Sequence, residues 1–319
     1  MGKCPFRAEY PVSTTVVRCR SCGSSKTRYL GPIPPGAAFA GREVSEPMDP
    51  GELYRCLSCH LRFRHPVPDD AMLRQLYVAG DPGAWQYWTG HRCDWQLAHQ
   101  WMQTLGDGGA ILDIGCFDGA FLGLCDPSWD RYGIEMNPTA ADTARARGIT
   151  MLGEDVARLG DVRQRFDVVV AFDLLEHVPD PRALLGSMAA VAKPGGAVII
   201  GTGNTAAPSW RLMGSRYWYC AIPEHLSFIS PAWCRHASAH LQLKLIRVER
   251  YSHAARRTVG AWTSALAKNV LYRLTPSIFG WLRTRGFGTL DVRRHPAWVS
   301  VPPEWMSARD HLLAVFRTP

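Results

Sequence analysis

The sequence has no long uninterrupted apolar run. No window approaches the roughly 18 consecutive apolar residues that a membrane-spanning helix needs, which argues against an integral membrane protein. The first residues, Met1 to Arg7, lack the apolar core of a signal peptide. Apolar residues make up 46% of the 319 residues and charged residues 20%, which excludes a disordered or fibrous chain. We therefore expect a globular, cytoplasmic protein.

Cysteine is too sparse for a disulfide scaffold, with ten residues in the whole chain. Four of them form two Cys-x-x-Cys pairs separated by 33 residues: Cys19, Cys22, Cys56 and Cys59. Two such turns can direct four thiolates at one ion, which predicts a structural Cys4 zinc site that supplies folding energy to a small module. Unpaired thiols and a redox pair are the alternatives, and Cys4 and His60 are less favoured substitute ligands.

The chain divides into three regions by composition. Residues 1–66 are rich in Cys, Pro, Gly and Arg and are predicted to form a zinc ribbon, and 67–108 a helical, aromatic connector. From 109 to 319, short apolar runs alternate with helical stretches, which predicts an α/β fold with a doubly wound, mostly parallel sheet. The predicted strands are 110–114, 131–134, 149–152, 166–172 and 197–201, and the predicted helices 71–77 (with Asp69 or Asp70 as N-cap), 94–105, 138–147 and 181–192.

Acidic residues follow three successive predicted strands, and a glycine loop follows the first. The acids are Asp113, Glu135, Glu154 and Asp155, and the loop reads Asp-x-Gly-x-x-x-Gly, with Gly115, Cys116 and Gly119. This is not the Gly-x-Gly-x-x-Gly dinucleotide fingerprint, which argues against a dehydrogenase. Glu135 stands where a carboxylate can accept hydrogen bonds from both hydroxyls of a ribose. The alternative for any single acid is a solvated loop residue.

These residues, with Phe166–Pro181 and Lys193–Gly196, resemble class I S-adenosylmethionine-dependent methyltransferases. The resemblance is closest to bacterial members with an N-terminal zinc ribbon, through Leu61–Pro66, the helix ending in Tyr77, and Pro223–Ser230. It covers roughly residues 15–250 and 310–317. It implies a Rossmann-like methyltransferase sheet of seven strands, with S-adenosyl-L-methionine as cofactor. Phe117 departs from the family pattern, since many members have glycine at this place.

The resemblance also implies which residues hold the cofactor. The loop from Asp113 to Gly119, including Gly115 and Cys116, would hold the methionine part, and Glu135 the ribose. The adenine amino group would meet Asp155, with Glu154 as the neighbouring alternative. Asp173, at the end of the fourth strand, would lie near the sulfonium.

Methyl transfer needs an aligned nucleophile, and a hydroxyl acceptor also needs a base. His225 and His177 are the predicted catalytic residues, with Glu224 and Glu176 as orienting partners. A purely structural contact is the alternative for His177. Three aromatic residues are predicted to wall the acceptor or to belong to the core: Tyr217, Trp218 and Tyr219.

Three functions remain open. The first is methyl transfer to a sugar, sugar nucleotide, lipid-linked glycan or other small acceptor, on oxygen. The second is an RNA methyltransferase with a basic ribbon that docks nucleic acid, although the Asn/Asp-Pro-Pro-aromatic run of exocyclic-amine methyltransferases is absent. The third is a non-catalytic binding protein with a degenerate cofactor domain. The net charge of +8 is compatible with all three. The basic ribbon residues are Arg18, Arg20, Lys26, Arg28, Arg55, Arg62 and Arg64.

Residues 252–309 are predicted to be a helical insertion between a sixth strand, 243–251, and a reversed last strand, 311–316. Apolar residues recur every three or four positions, and Pro276 ends the helix. This stripe comprises Val259, Trp262, Leu266, Val270 and Leu274, and basic residues surround it: Arg256, Arg257, Lys268, Arg273, Arg283 and Arg285. The insertion is either a lid packed on the protein or on a partner copy, or a contact of 255–285 with an anionic membrane at its inner face.

Overall fold

The computed structural model describes residues 16–36, 38–40, 42–43, 49–67, 70–78, 92–106, 108–162, 165–253, 259–286, 299–305, 307 and 309–319. The strands are β1 (Thr27–Pro32), β2 (Ala38–Phe39), β3 (Arg42–Glu43), β4 (Glu52–Cys56), β5 (Arg62–His65), β6 (Gly109–Ile114), β7 (Trp129–Ile134), β8 (Thr150–Gly153), β9 (Phe166–Phe172), β10 (Ala192–Gly203), β11 (Ser227–Phe228), β12 (Lys244–Tyr251) and β13 (His311–Arg317). The helices are α1 (Asp70–Val78), α2 (Cys93–Met102), α3 (Ala120–Gly123), α4 (Pro138–Ala146), α5 (Pro181–Val191), α6 (Pro208–Met213), α7 (Trp218–Ala221), α8 (Pro231–His240), α9 (Val259–Leu274) and α10 (Pro276–Arg283).

The main sheet has seven strands in the order β12-β13-β10-β9-β6-β7-β8. Strand β6 pairs in parallel with β7 and β9, and β9 with β10, while β13 is antiparallel to both β10 and β12. This confirms the predicted doubly wound, mostly parallel sheet with a reversed last strand. The order reverses between β6 and β9, which is where ligands bind in open α/β sheets.

Local sequence explains where the helices around this sheet begin. The side chain of Asn137 caps α4 by accepting from the backbone N–H of Ala140 at 3.0 Å. Asp180 caps α5 through Arg182 N–H at 3.0 Å, and proline occupies the first turn of both helices. The central strands are mostly apolar because helices cover both faces, as in the fully buried run Val168–Ala171.

A second sheet belongs to the N-terminal region, with the order β1-β4-β5-β11. Its fourth strand comes from much later in the chain, since Ser227 pairs with Phe63 and Phe228 with Arg62. The indole N–H of Trp233, on α8, also donates to Ser21 Oγ at 3.0 Å in a buried contact. The N-terminal sheet is therefore completed and anchored by the larger α/β unit.

The insertion forms α9 and α10, separated at Pro276 as predicted. Part of the predicted stripe packs inward, since Leu266 lies against the apolar cluster that contains Tyr272. Asn269 and Tyr272 are buried, whereas Trp262 is 46% exposed and Leu274 72% exposed. The protein's own core therefore covers the stripe only in part. The Val259 side chain, Arg256 and Arg257 lie outside the described residues, as do Asp69 and the connector's aromatics at 85–88.

Among the described residues, no helix combines the length and the apolar character that crossing a bilayer requires.

Candidate active site

A cavity of about 1100 Å³ opens at the carboxyl ends of the central strands. It brings together most of the predicted cofactor-binding and catalytic residues: Asp113, Gly115, Cys116, Glu135, Glu154, Asp155, Asp173, His177 and His225. The two histidines lie in the same cavity as the acidic strand ends, although they are more than 40 residues later than Glu135 in the chain. The cavity is therefore large enough and suitably lined for two small molecules side by side.

The glycine loop after β6 approaches the cavity through its backbone. Gly115 has a φ of 74° and lines the cavity, while Gly119 has a φ of 75° and starts α3. A Cβ on Gly119 would stand 2.1 Å from Ile149 Cδ1, so this glycine allows close packing of the loop. Phe117 also has a positive φ, of 50°. Glycine adopts that conformation more easily, which explains why this place favours glycine in related loops.

Asp113 is a buried carboxylate with an unused acceptor. Its side chain ends β6, it is 3% exposed, and its Oδ1 atom accepts no hydrogen bond from any described residue. Burial, and then the charge of Glu135, raise the pKa of Asp113 to about 8. A cationic group of a ligand placed here would supply the missing partner and restore the carboxylate charge.

Glu135 holds the glycine loop in place. Its Oε2 atom accepts from the N–H of Phe117 at 2.9 Å, and its Oε1 atom from the N–H of Asn137 at 2.7 Å. Burial nevertheless raises its pKa. Directly after the next strand, β8, Glu154 is exposed at the cavity wall and Asp155 forms an ion pair with Arg74 of α1 at 2.5 Å. The acids thus line one edge of the cavity, as predicted from their strand positions.

Asp173 is tied to the segment that precedes α2. Arg92 Nη2 donates to Asp173 Oδ2 at 2.6 Å, and Arg92 Nε donates to Asp94 Oδ1 at 3.0 Å. Although burial opposes its charge, Arg92 and then His311 hold the pKa of Asp173 far below its usual range. Asp173 is therefore a fixed negative charge beside the cavity, compatible with a neighbouring sulfonium.

His225 has the hydrogen-bonding pattern of a base. Its Nδ1 atom lies 3.0 Å from the carbonyl oxygen of Tyr219. A carbonyl only accepts, so Nδ1 carries the proton and Nε2 keeps a free lone pair. Burial, and then His177, hold the pKa of His225 well below its usual range, so the ring is neutral near pH 7.

His177 packs against His225 in a cluster of polar groups. The two rings meet edge to face with centroids 4.9 Å apart, and the Tyr77 hydroxyl lies 2.7 Å from His177 Nδ1. One oxygen of Glu176 and one ring nitrogen from each histidine lie within 4.8 Å of one another. A single polar group of a bound molecule can therefore contact several of these side chains at once.

The orienting partners of the histidines differ from those predicted. Glu176 accepts from the hydroxyls of Tyr219 at 2.5 Å and Thr202 at 2.7 Å. Burial, and then the charge of Asp173, raise the pKa of Glu176 to about 7. Glu224 accepts from the N–H of Ala40 at 3.0 Å. Glu176 is therefore engaged elsewhere, and the Glu224 carboxylate acts on His177 only through its charge. The two rings instead form hydrogen bonds with the Tyr219 carbonyl and the Tyr77 hydroxyl.

The N-terminal sheet is joined to the loop that carries His225 through one buried side chain, Arg64, which is 2% exposed. Its guanidinium donates to the carbonyls of His225 at 3.0 Å, Ile222 at 2.9 Å and Cys220 at 2.6 Å, and also to Pro50. One planar group thus fixes three carbonyls of a single loop, which a lysine ammonium could not do with the same geometry.

The four paired cysteines converge. Cys19 Sγ lies 3.5 Å from Cys59 Sγ, Cys22 Sγ lies 3.5 Å from Cys56 Sγ, and the four sulfurs lie within 4.8 Å of one another. Sulfurs held tetrahedrally at about 2.3 Å from a zinc ion stand about 3.8 Å apart, so this arrangement suits the ion. His60 instead contacts Arg55, with 3.3 Å between His60 Nδ1 and Arg55 Nη2.

Several residues of the site belong to no sequence motif and could not be predicted. Arg92 lies in the connector, which has no clear pattern, and Arg64 is one arginine among many in the ribbon. His253 and His311 also line the cavity, and His311 Nδ1 lies 3.0 Å from Asp310 Oδ1. Only the pairing of distant segments places these side chains here.

The fold and the cavity define the class of protein: a Rossmann-like enzyme with a cofactor loop after its first main strand and an acceptor space beside it. Residues 87–248, half of the chain, match the family described as "Methyltransferase domain", and the chain belongs to this family of S-adenosylmethionine-dependent methyltransferases. S-adenosylmethionine is its cofactor.

Among curated relatives, the ubiquinone biosynthesis O-methyltransferase of Xylella fastidiosa is 30% identical over 176 residues, covering 47% of this chain and 69% of that protein. The protein of the same name from Alkalilimnicola ehrlichii is 33% identical over 160 residues, covering 44% of this chain and 65% of that protein. The N-methyltransferase NodS of Bradyrhizobium japonicum, solved with S-adenosyl-L-homocysteine, is 17% identical, with a TM-score of 0.44, over 78% of this chain and 97% of that chain. A SAM-dependent methyltransferase of Archaeoglobus fulgidus is 14% identical, with a TM-score of 0.44, over 78% of this chain and all of that chain.

Proposed function

We propose that this enzyme transfers the methyl group of S-adenosylmethionine to a hydroxyl of a small polar acceptor, such as a sugar, a sugar nucleotide or a lipid-linked glycan. The observation that carries the proposal is the hydrogen bond from His225 Nδ1 to the Tyr219 carbonyl, which leaves Nε2 as an acceptor for a hydroxyl proton. The names of the two relatives support oxygen as the accepting atom.

The acceptor would lie between His225, His177 and the hydroxyl of Tyr77. The ring nitrogens of the histidines and the Tyr77 hydroxyl suit an acceptor with several hydroxyls, because each of these side-chain atoms can bind one acceptor hydroxyl and fix its direction. Transfer itself requires the attacking oxygen and the methyl carbon to be aligned at about 3 Å with water excluded. His225 Nε2 would take the hydroxyl proton, and the bound cofactor would supply the methyl group, with the electron pair of its C–S bond left on sulfur.

The described residues fit the cofactor. The unpartnered Oδ1 atom of Asp113 would accept from the methionine ammonium, and the loop with Gly115 and Cys116 would lie against the methionine part. Glu135 has lone pairs left for the ribose hydroxyls, and Asp155 or Glu154 would meet the adenine amino group. Gly119 would contribute indirectly, by allowing the loop to pack closely. Asp173 would place a negative charge near the sulfonium.

Replacing Asp113 by asparagine is expected to weaken S-adenosylmethionine binding by about 1–3 kcal/mol, because a charged partner of the ammonium is lost. Replacing Glu135 by alanine is expected to have a similar effect, since the ribose hydroxyls and the Phe117 N–H lose an acceptor. Titration calorimetry measures both. Asp142→Asn, an exposed acid on α4, is the control. Unchanged affinity in both site variants would contradict the assignment.

We propose that the four clustered cysteines hold one structural zinc ion. The separations of 3.5 Å between paired sulfurs support this, and so does the N–H of Cys59, which donates to Cys56 Sγ at 3.4 Å. Gly23 and His60, each directly after the second cysteine of a pair, both have positive φ, of 73° and 66°. The two pairs thus form matching turns around one point.

Protein purified without chelator is expected to contain one zinc per chain, measured by atomic emission. Cys56→Ser should lose the metal and the order of the ribbon, while the α/β unit keeps its fold, because metal binding supplies folding energy to the small module. Cys93→Ser, a cysteine outside the cluster, should keep the metal. Wild-type protein without zinc would end this proposal.

The basic residues of the ribbon support the nucleic-acid alternative less than the sequence suggests. Arg64 is buried, and the Arg62 guanidinium lies over the ring of Trp210, 5.4 Å from its centroid. These two arginines therefore serve packing rather than phosphate contact.

Labelled S-adenosylmethionine, incubated with nucleotide sugars, phenolic hydroxy compounds and total RNA, separates the alternatives. Label in a nucleotide sugar supports the proposal, and stability of the product to mild acid and base confirms an ether. Label only in RNA would overturn it, and failure to bind the cofactor would favour the non-catalytic alternative.

A further inference from the structure

The helix pair α9–α10 exposes large apolar side chains at several positions. Leu274 is 72% exposed, Ile278 52% and Trp281 53%, and Trp262 near the start of α9 is 46% exposed. Ile278 and Trp281 lie three residues apart on the same side of α10, and Leu274 is the last residue of α9, just before the break at Thr275 and Pro276. Exposed apolar residues clustered in this way mark an interaction surface.

Charge on the same segment is of one sign. Residues 259–286 contain four basic residues and no acidic residue, so they carry half of the chain's net charge of +8. Arg285 places its guanidinium 3.7 Å from the centroid of the Trp281 ring. Arg273 adds an exposed charge on α9, whereas Lys268 is half-buried and Arg283 is buried. The arrangement combines tryptophan and aliphatic side chains with positive charge, which suits an anionic lipid surface.

The opposite side of the helix pair is firmly attached to the enzyme. Tyr272 and Phe279 are buried and meet edge to face at 5.4 Å, and the Tyr272 hydroxyl donates to the Ser300 carbonyl at 2.8 Å. Both rings belong to the same apolar cluster as Tyr217 and Tyr219. The exposed side chains are therefore presented on a fixed platform behind the wall of the cavity.

We propose that the surface formed by Leu274, Ile278 and Trp281, with Arg273 and Arg285, docks the enzyme on an anionic membrane. The helix pair would lie in the plane of the interface with Trp281 at the headgroup level, and neither α9 nor α10 would cross the bilayer. The positive charges would draw the protein to anionic headgroups before the apolar side chains enter. This proposal is independent of the acceptor that the enzyme uses.

Flotation with vesicles of phosphatidylcholine containing roughly one third phosphatidylglycerol tests it, with the full chain at low salt. The wild-type protein is expected to float with these vesicles, but not with pure phosphatidylcholine, and to be released by high salt. Arg273→Glu and Arg285→Glu should each reduce association about fivefold or more, as expected for one basic residue near the surface. Trp281→Ser should reduce it without changing the salt dependence.

The controls are matched in exposure. Leu124→Ser removes an apolar side chain that is 63% exposed elsewhere, and Arg235→Glu reverses an exposed charge on α8. Both should float as the wild-type protein does. Cofactor affinity, measured on every variant, shows that the fold is retained. Absence of wild-type flotation would overturn the proposal, as would equal loss in the controls or a concentration-dependent dimer that Trp281→Ser dissociates.

Discussion

Replacing His225 by asparagine is expected to lower kcat by about 10²–10⁴-fold, the usual contribution of a positioned base. Affinity for S-adenosylmethionine should be unchanged, because the predicted cofactor contacts lie at the other strand ends. Asparagine keeps a donor for the Tyr219 carbonyl but has no basic nitrogen, so the loss reports the missing base. His240→Asn, at the end of α8, is the control.

The pH dependence gives a second check on His225. Its active form is the neutral ring, and burial lowers its pKa below the usual 6.5. The acid limb that His225 contributes should therefore lie below pH 6.5. Burial raises the pKa of Asp113 to about 8 and that of Glu176 to about 7, so these groups add limbs of their own at higher pH, and kcat is measured with saturating cofactor. Full activity in His225→Asn would exclude His225 as the base.

Replacing Arg64 by alanine is expected to have the largest effect on stability. The substitution leaves the carbonyls of Cys220, Ile222 and His225 without their donor, and hydrogen bonds to a charged group are worth about 1.5–3 kcal/mol each. We expect the free energy of unfolding to fall by about 3–5 kcal/mol, measured by denaturant titration. Arg28→Ala, an exposed arginine of the same ribbon, should change it little.

Arg64→Lys separates positioning from simple folding. Lysine keeps the positive charge but cannot reach three carbonyls with one planar group, so the loop should shift while the protein still folds. A displacement of about 1 Å can lower the rate about 10²-fold, so we expect kcat to fall strongly with cofactor affinity and zinc content unchanged. Full kcat in Arg64→Lys would show that Arg64 does not position His225.

The fold follows from sequence where apolar runs are continuous and clearly bounded. Strand β9, Phe166–Phe172, has the predicted bounds because Arg165 and Asp173 flank a run in which Asp167 is the one polar residue. Strand β10 begins at Ala192 rather than 197, because Ala192 already pairs with Phe166 before the register shifts between Ala192 and Ala197. Along α9 the apolar period indicates a helix, but which of its residues are covered depends on tertiary contacts: Leu266 packs inward, whereas Trp262 and Leu274 are exposed.

The site, like the fold, is predictable where its residues follow from strand positions and not where they depend on contacts between distant segments. Acids at strand ends converge because parallel strands end at one edge, so Asp113 and Glu135 could be placed from sequence. Their partners could not, because the contacts join distant segments. Arg64 and His225 are 161 residues apart, and Arg92 and Asp173 are 81 apart. No local pattern marks such pairs.

The pairing of β5 with β11 has a consequence for synthesis of the chain. Phe63 leaves the ribosome long before its partner Ser227, and at about 5–20 residues per second the interval is roughly 8–30 s. All four clustered cysteines are already available at its start, since Cys59 is the last of them. The four cysteines of the ribbon can therefore come together early. Strand β5, however, has no partner on one side until β11 has been synthesised. Its final form is a late event in translation, although it lies at the start of the chain.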